Sequence, residues 1–232
     1  MRNNYGIFFR FIRFLVRVVY PRYHIDTSKV ESGPTVYISH HQNLFGPFIT
    51  LLWFPAKLRT WILHVFLDRQ TCYRQYAHYT FSERFGWNKY LAQLIAFPVA
   101  RFITLLLTSG QGIPVYRSSR KIMHTFQDTL TALENGEQVI IFPDIDYTDT
   151  SAAIKSMYEG FLNVEKFYYK KHGIHINFVP LYASKGKRII VAGQAIRFRE
   201  GIGFKTERKY VYDQIHKGLN QLAAECGDAQ AA

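Results

Sequence analysis

The stretch Tyr37–Pro47, Y-I-S-H-H-Q-N-L-F-G-P, sets two adjacent histidines behind a short apolar run that reads as a strand. An imidazole titrates near neutral pH, so a ring at a strand end can take a proton from an alcohol as a general base. The plainer roles for the same residues are a solvated loop histidine or a cap for the helix that follows. Downstream, Asp144, Asp146 and Asp149 gather in I-I-F-P-D-I-D-Y-T-D. Imidazoles and carboxylates also make divalent-metal sites, but adjacent histidines seldom both reach one ion from a strand end, so no metal is expected. No serine or cysteine elbow motif accompanies the histidines, which points to direct attack without a covalent enzyme intermediate.

A second group of candidates follows the short apolar run Gly112–Tyr116. Arg117, Ser118, Ser119, Arg120 and Lys121 stand where a helix is expected to start. A guanidinium presents a planar fork of donors to phosphate oxygens, and the first amides of a helix add to anion binding. Lys185, Lys187 and Arg188 form a further basic cluster, read as a solvated or membrane-facing patch.

The elements that must position these groups alternate in type. Thr35–Ser39, Trp61–Phe66, Gly112–Tyr116, Gln138–Phe142 and Asn177–Ala183 read as strands, with Arg188–Ala192 and Ala195–Phe198 as further ones. Helices are expected from Asn43 to before Pro55, over Ser119–Asn135 with Gly136 closing it, from about Ile154 to Lys171, and over Glu207–Glu225. Tyr73–Trp87 lacks clear periodicity and reads as helix or loop. The expected class is α/β, with a mixed, largely parallel sheet flanked by helices. With no internal repeat or Gly/Ser linker, residues 25–232 are expected to form one domain behind an N-terminal helix over 1–24.

That N-terminal segment, Y-G-I-F-F-R-F-I-R-F-L-V-R-V-V-Y, is apolar except at Arg10, Arg13 and Arg17. On a helix the three arginines fall within a sector of roughly 60°, leaving a wide apolar face. At bilayer depth each arginine would cost roughly 2.5 to 3.5 kcal/mol, whereas a helix lying in the interface leaves them beside anionic headgroups. Arginines inside the apolar run and the lack of a small-residue cleavage site argue against a signal peptide. Leu91–Leu107 carries one charge, Arg101, and reads as a buried or half-immersed helix. Together these segments suggest a monotopic protein, and the expected location is the cytoplasmic face of a membrane, peripheral or monotopic. The 232 residues carry a net charge of +12, which favours an anionic partner such as a phospholipid surface. No basic-aromatic recognition motif is present, so nucleic acid is not expected. Cys72 and Cys226 lie far apart with no ligand spacing and are expected as free thiols.

Four blocks stand in order at strand ends: S-H-H-Q-N-L-F-G-P (Ser39–Pro47), G-I-P-V-Y-R (Gly112–Arg117), I-I-F-P-D (Ile140–Asp144) and F-V-P-L-Y (Phe178–Tyr182). Their order and composition resemble the glycerolipid acyltransferases of the lysophosphatidic acid acyltransferase type, over roughly Val36 to Ile196. The resemblance implies transfer of an acyl group from acyl-CoA or acyl carrier protein to a lysophospholipid or related glycerol phosphate, with no other cofactor. It places His41 at the family's general base, His40 in a supporting position, Asn43 at the serine of the first block as a substrate contact, and Arg117 at the acceptor phosphate; Ser118 and Arg120, at the expected helix start, are taken as further substrate-binding residues. The family's orienting aspartate is replaced by Gly46, and the glycine and arginine of its third block are also missing. A carboxylate from the third-block loop, Asp144 or Asp146 in the first place or else Asp149, is expected to compensate. The alternative is a catalytically impaired acyltransferase fold retained as a lipid-binding protein.

Overall fold

In a computed structural model the chain is described over residues 5–117 and 119–229. The elements run α1 (Ile7–Val19), β1 (His24–Asp26), β2 (Thr35–Ser39), α2 (Phe45–Trp53), β3 (Leu58–Leu63) and α3 (Arg69–Arg74), which continues into a π-helix (Gln75–Arg84). They continue as α4 (Lys89–Ser109), β4 (Ile113–Val115), α5 (Ile122–Glu134), β5 (Gln138–Ile141), α6 (Asn163–His172), β6 (Asn177–Ser184), β7 (Ile189–Ala192) and α7 (Phe204–Glu225). The class is α/β, and the sheet is mixed and mostly parallel with flanking helices.

The chain clusters into two compact units, one of Val16–Leu58 and Phe126–Ala232, the other of Met1–Leu15 and Arg59–Thr125. In the first, β2 lies between β5 and β6 and is parallel to both, β6 pairs antiparallel with β7, and β7 pairs parallel with β1. Every residue of β2 and of β6 is buried, as continuous apolar runs demand when helices cover both faces. Tyr37, Ile140, Val179, Leu181 and Ile190 from four adjacent strands make one core, which Ile49 of α2 joins. Cys72 in one unit and Cys226 in the other are free and buried.

In the second unit β3 and β4 pair in parallel, Trp61 opposite Ile113. Ala92 and Ala96 on α4, one turn apart, pack against Tyr73, Tyr76, Ala77 and Phe81. Small side chains on that face let the helices approach closely, while Tyr90, Leu94 and Phe97 on the rest of α4 are exposed. The start of α1 is tied to the end of α4 by Gly6 N–H to Ser109 O (2.8 Å) and Phe9 N–H to Ser109 Oγ (2.9 Å). A β-carbon at position 6 would stand 2.5 Å from Ser109 Oγ, so only glycine permits this approach. Of the three arginines expected to face headgroups, Arg10 is exposed, Arg13 lies over the Tyr5 ring, and Arg17 donates to Leu52 O at 2.7 Å.

Several elements differ from the sequence expectation, among them the strand expected at Trp61–Phe66, which runs Leu58–Leu63 and gives way to a 3-10 turn at His64–Phe66. The helix expected from Ile154 begins only at Asn163, after a 3-10 turn at Gly160–Leu162. Side chains of α7 hold residues 154–157 extended: Ile154 N–H donates to Asn220 Oδ1 (2.8 Å) and Met157 N–H to the Tyr212 hydroxyl (3.2 Å). These tertiary bonds outweigh local helical periodicity. Ala195–Phe198 forms only an isolated bridge, Phe178 with Ile196, and His24–Asp26 adds an edge strand that its short polar sequence does not announce.

Candidate functional site

The parallel register explains how residues 104 positions apart meet. Ile38 of β2 lies opposite Ile141 of β5, so the residues leaving both strands emerge side by side at the same sheet edge. His40 and Asp144 are those residues. The C-terminal edge of parallel strands is where open α/β sheets place their ligands.

Asp144 is buried and uses both carboxylate oxygens. Oδ1 accepts from His40 Nδ1, and Oδ2 accepts from the His41 backbone N–H at 3.0 Å. His40 is only 2 % exposed, and its Nε2 faces the Ser151 carbonyl oxygen at 2.9 Å. A proton on Nδ1 satisfies the Asp144 carboxylate, and the neutral ring in that tautomer turns its Nε2 lone pair toward the Ser151 carbonyl. The His41 ring is partly exposed, and its Nδ1 accepts from the Leu44 N–H at 3.1 Å. The Tyr147 backbone carbonyl bonds the same ring, which Phe142 and Tyr147 flank with centroids 6.0 and 5.9 Å away. Thus one loop, Ile145–Ser151, supplies the carbonyls that cover both imidazoles.

Of the loop carboxylates expected to reach the histidines, Asp144 does so through the His40 ring and the His41 main chain. Asp146 is exposed and accepts from the Thr148 N–H (2.9 Å) and hydroxyl (2.7 Å), shaping the loop. Asp149 accepts from the Ser151 N–H at 2.9 Å and pairs with Lys155 at 3.0 Å. Burial works to raise its pKa, but the Ser151 bonds and the Lys155 ammonium outweigh that and bring it down to about 2, so the loop's turns stay charged in mild acid.

Between the histidines and α2 the backbone turns left-handed. Gln42, Asn43 and Leu44 have φ of 45°, 48° and 75°. Such a conformation costs an ordinary residue roughly 1–2 kcal/mol, and its persistence at three consecutive positions marks the turn as held by its surroundings. Asn43 is exposed on it. The turn is closed by Phe45 N–H to Gln42 O and Gly46 N–H to His41 O, both 3.1 Å. A β-carbon at Gly46 would lie 2.0 Å from the His40 carbonyl oxygen. The backbone therefore has no room for a side chain where the resemblance places an aspartate, and Asp144 reaches the histidines from the neighbouring strand instead. Gly46→Asp is expected to lower stability by about 1–3 kcal/mol or more, as read by thermal unfolding.

Burial disfavours the charged form of His41 and lowers its pKa, helped by His40 and opposed by Asp144 and the Tyr147 carbonyl. The unfolded chain protonates this residue near pH 6.5, while the folded chain resists to lower pH. Its contribution to stability is therefore complete above about pH 6.5 and is lost as pH falls below it. Melting temperatures from pH 7.5 to 5 should fall less steeply for His41→Gln than for the native chain.

Arg117 and Arg120 are exposed in the segment after β4, in the other unit, and Ser118 lies outside the described residues. No group of His, Cys, Asp and Glu that could hold a metal occurs among the described residues. A second imidazole–carboxylate pair lies outside the four sequence blocks: His175 Nδ1 and Glu165 Oε1 are 2.6 Å apart, and Glu165 also accepts from the Ile176 N–H at 3.0 Å. It stands at the start of β6, the opposite edge from His40. No motif signals it, because Glu165 and His175 are joined only by the turn between α6 and β6.

No protein-family model matches the sequence, and no curated protein matches it. Among solved structures the chain is similar to the 1-acyl-sn-glycerophosphate (LPA) acyltransferase PlsC from Thermotoga maritima. The TM-score is 0.50 at 15% identity, over 94% of this chain and 78% of that one. The fold is acyltransferase-like.

Proposed function

We propose that the protein is a membrane-associated O-acyltransferase that moves a fatty acyl group from a thioester, acyl-CoA or acyl carrier protein, to a hydroxyl of a lysophospholipid or related glycerol phosphate. The observation that carries this reading is the buried contact between Asp144 and His40 Nδ1 at the C-terminal sheet edge. A carboxylate there fixes the tautomer in which Nε2 is the working nitrogen and favours the imidazolium that forms on proton uptake. His41, the base expected from the motif, receives the carboxylate only on its main chain. We therefore assign the base to His40 and a positioning role to His41.

The acceptor hydroxyl gives its proton to His40 Nε2 as its oxygen attacks the thioester carbon. The new C–O bond forms, the C–S bond breaks, and the departing thiolate takes the proton back from the imidazolium. For this the Ser151 carbonyl has to leave Nε2, so the loop Ile145–Ser151 moves aside when substrate enters. Arg117 and Arg120 are retained as binders of the acceptor phosphate, with Asn43 as a contact beside the histidines. Membrane contact is assigned to the exposed apolar residues of α1, such as Ile7, Phe11 and Phe14, and of α4, such as Leu94 and Phe97. Helix α4 is long and apolar enough to cross a membrane, and only 17% of its apolar window is buried.

The test is acyl transfer from labelled acyl-CoA and acyl carrier protein to a panel of lysolipids, with His40→Gln as control. One observation favours the second reading, a lipid-binding protein without activity: carbonyl oxygens of one loop cover both rings. Equal product from the native chain and the control would select it.

A further inference from the structure

Helix α7 does more than close the fold. Three of its side chains hold the segment that follows the Asp144 loop: Asn220 bonds both backbone groups of Ile154 (2.8 and 3.2 Å), His216 Nε2 lies 3.2 Å from Lys155 O, and the Tyr212 hydroxyl bonds both backbone groups of Met157 (3.2 Å each). Met157 in turn bridges Asp144, and Tyr158 N–H donates to Pro143 O at 2.8 Å. Beside this clamp lies a cavity of about 500 Å³, lined by Lys205, Arg208, Lys209, Tyr212 and Met157. That volume is in the range of small-molecule sites.

The cavity's charge is unbalanced in a way that structure alone does not require. Lys205, Arg208 and Lys209 recur at one helical face, three and four positions apart, so like charges stand together. Against them the lining offers Glu159 and Asp213. Glu159 reaches Arg208 through a long 3.4 Å contact to Nη2, and among the described residues the buried Arg208 Nε has no acceptor. A buried guanidinium donor without a partner is a deficit that an anionic oxygen would satisfy. Two lysines and a guanidinium suit several phosphate groups, and the Tyr212 ring with Met157 gives an apolar surface beside them.

We infer that this cavity binds phosphate esters, specifically the phosphorylated nucleotide end of a coenzyme A thioester, and so sits on the donor side of the reaction. The identity of the occupant rests on the acyltransferase reading; the phosphate chemistry does not. Because the ligand would touch Met157, whose backbone bridges Asp144, occupancy of the cavity would stiffen the segment after β5 that presents the carboxylate to His40.

The probe is adenosine 3′,5′-bisphosphate, titrated by calorimetry into the full chain and into Lys205→Gln/Lys209→Gln, with Arg208→Gln as a further variant. The exposed lysines can be changed without disturbing the core, so the double variant stays informative if the Arg208 variant fails to fold. Binding to the native chain, weakened about tenfold or more in the double variant, is expected for lost charge-assisted bonds. No binding to the native chain, or equal binding to both, overturns the proposal. Anionic and neutral phospholipid vesicles form the second arm: the double variant should bind them as the native chain does. Loss of vesicle binding with bisphosphate affinity unchanged assigns the cations to lipid headgroups and overturns it. In acyl transfer, KM for acyl-CoA should rise about tenfold while KM for the lysolipid stays put. Absence of any transfer by the native chain, with the bisphosphate still bound, defeats the acyltransferase reading and leaves the phosphate site standing.

Discussion

Asp144→Asn should cut acyl transfer about 10⁴-fold, the size expected when the carboxylate behind a catalytic imidazole is neutralised. The geometry shows why the change is not conservative. Asp144 accepts twice, from His40 Nδ1 on one oxygen and from the His41 N–H on the other. Asparagine offers one acceptor and one donor. If its oxygen stays on the main-chain N–H, its amide donates to His40 Nδ1, the proton moves to Nε2, and the working nitrogen is lost. If its oxygen turns to the ring, the His41 N–H faces an NH2 group, and the left-handed turn behind it loses a support. In the second arrangement a buried N–H goes unpaired, at about 1–3 kcal/mol, so thermal unfolding must be measured beside the rate. Asp146→Asn is the matched control. That carboxylate is exposed and bonded to Thr148, so the rate should stay within about twofold of native, as expected for a surface change. Full activity in Asp144→Asn would remove the dyad from the mechanism.

How much of this was legible in the sequence depends on the range of the interactions. The class was readable because Thr35–Ser39, Gln138–Phe142 and Asn177–Ala183 are continuous apolar runs, a pattern that central parallel strands impose whatever lies around them. A candidate base and Asp144 were readable because they sit next to those runs, and strand ends of a parallel sheet converge on one edge. Which of two adjacent histidines meets the carboxylate was not readable. That follows from a strand register and from a left-handed turn at Gln42–Leu44 that no glycine announces at its first and third positions. Gly46 was visible as a departure, but its cause is the 2.0 Å approach of the His40 carbonyl, which only coordinates reveal. The segment after Ile154 misled for a related reason: its apolar spacing suits a helix, and the bonds that keep it extended come from Tyr212 and Asn220, more than fifty residues on.

The choice between the two rings yields to substitution. His40→Gln should lower kcat/KM by about 10³–10⁴, comparable to Asp144→Asn, and the double variant should be little worse than either, because groups that act as one unit lose their function together. His41→Gln should cost no more than about tenfold, since its Nδ1 accepts the Leu44 N–H, a task a glutamine carbonyl oxygen can share. The measurement is a lysolipid acyl-transfer assay on all four variants at one pH, with circular dichroism melts to exclude unfolding. Glutamine is preferred to alanine because His40 is buried, and an emptied cavity there would confuse lost chemistry with lost packing. The opposite ranking, with His41→Gln inactive and His40→Gln tolerated, would return the base to His41. Asp144 would then act by holding the His41 main chain, and the partly exposed ring would meet the acceptor once the Tyr147 carbonyl withdraws. Independent losses that multiply in the double variant would separate His40 from Asp144 altogether, since a carboxylate that orients an imidazole has nothing left to orient when the imidazole is gone.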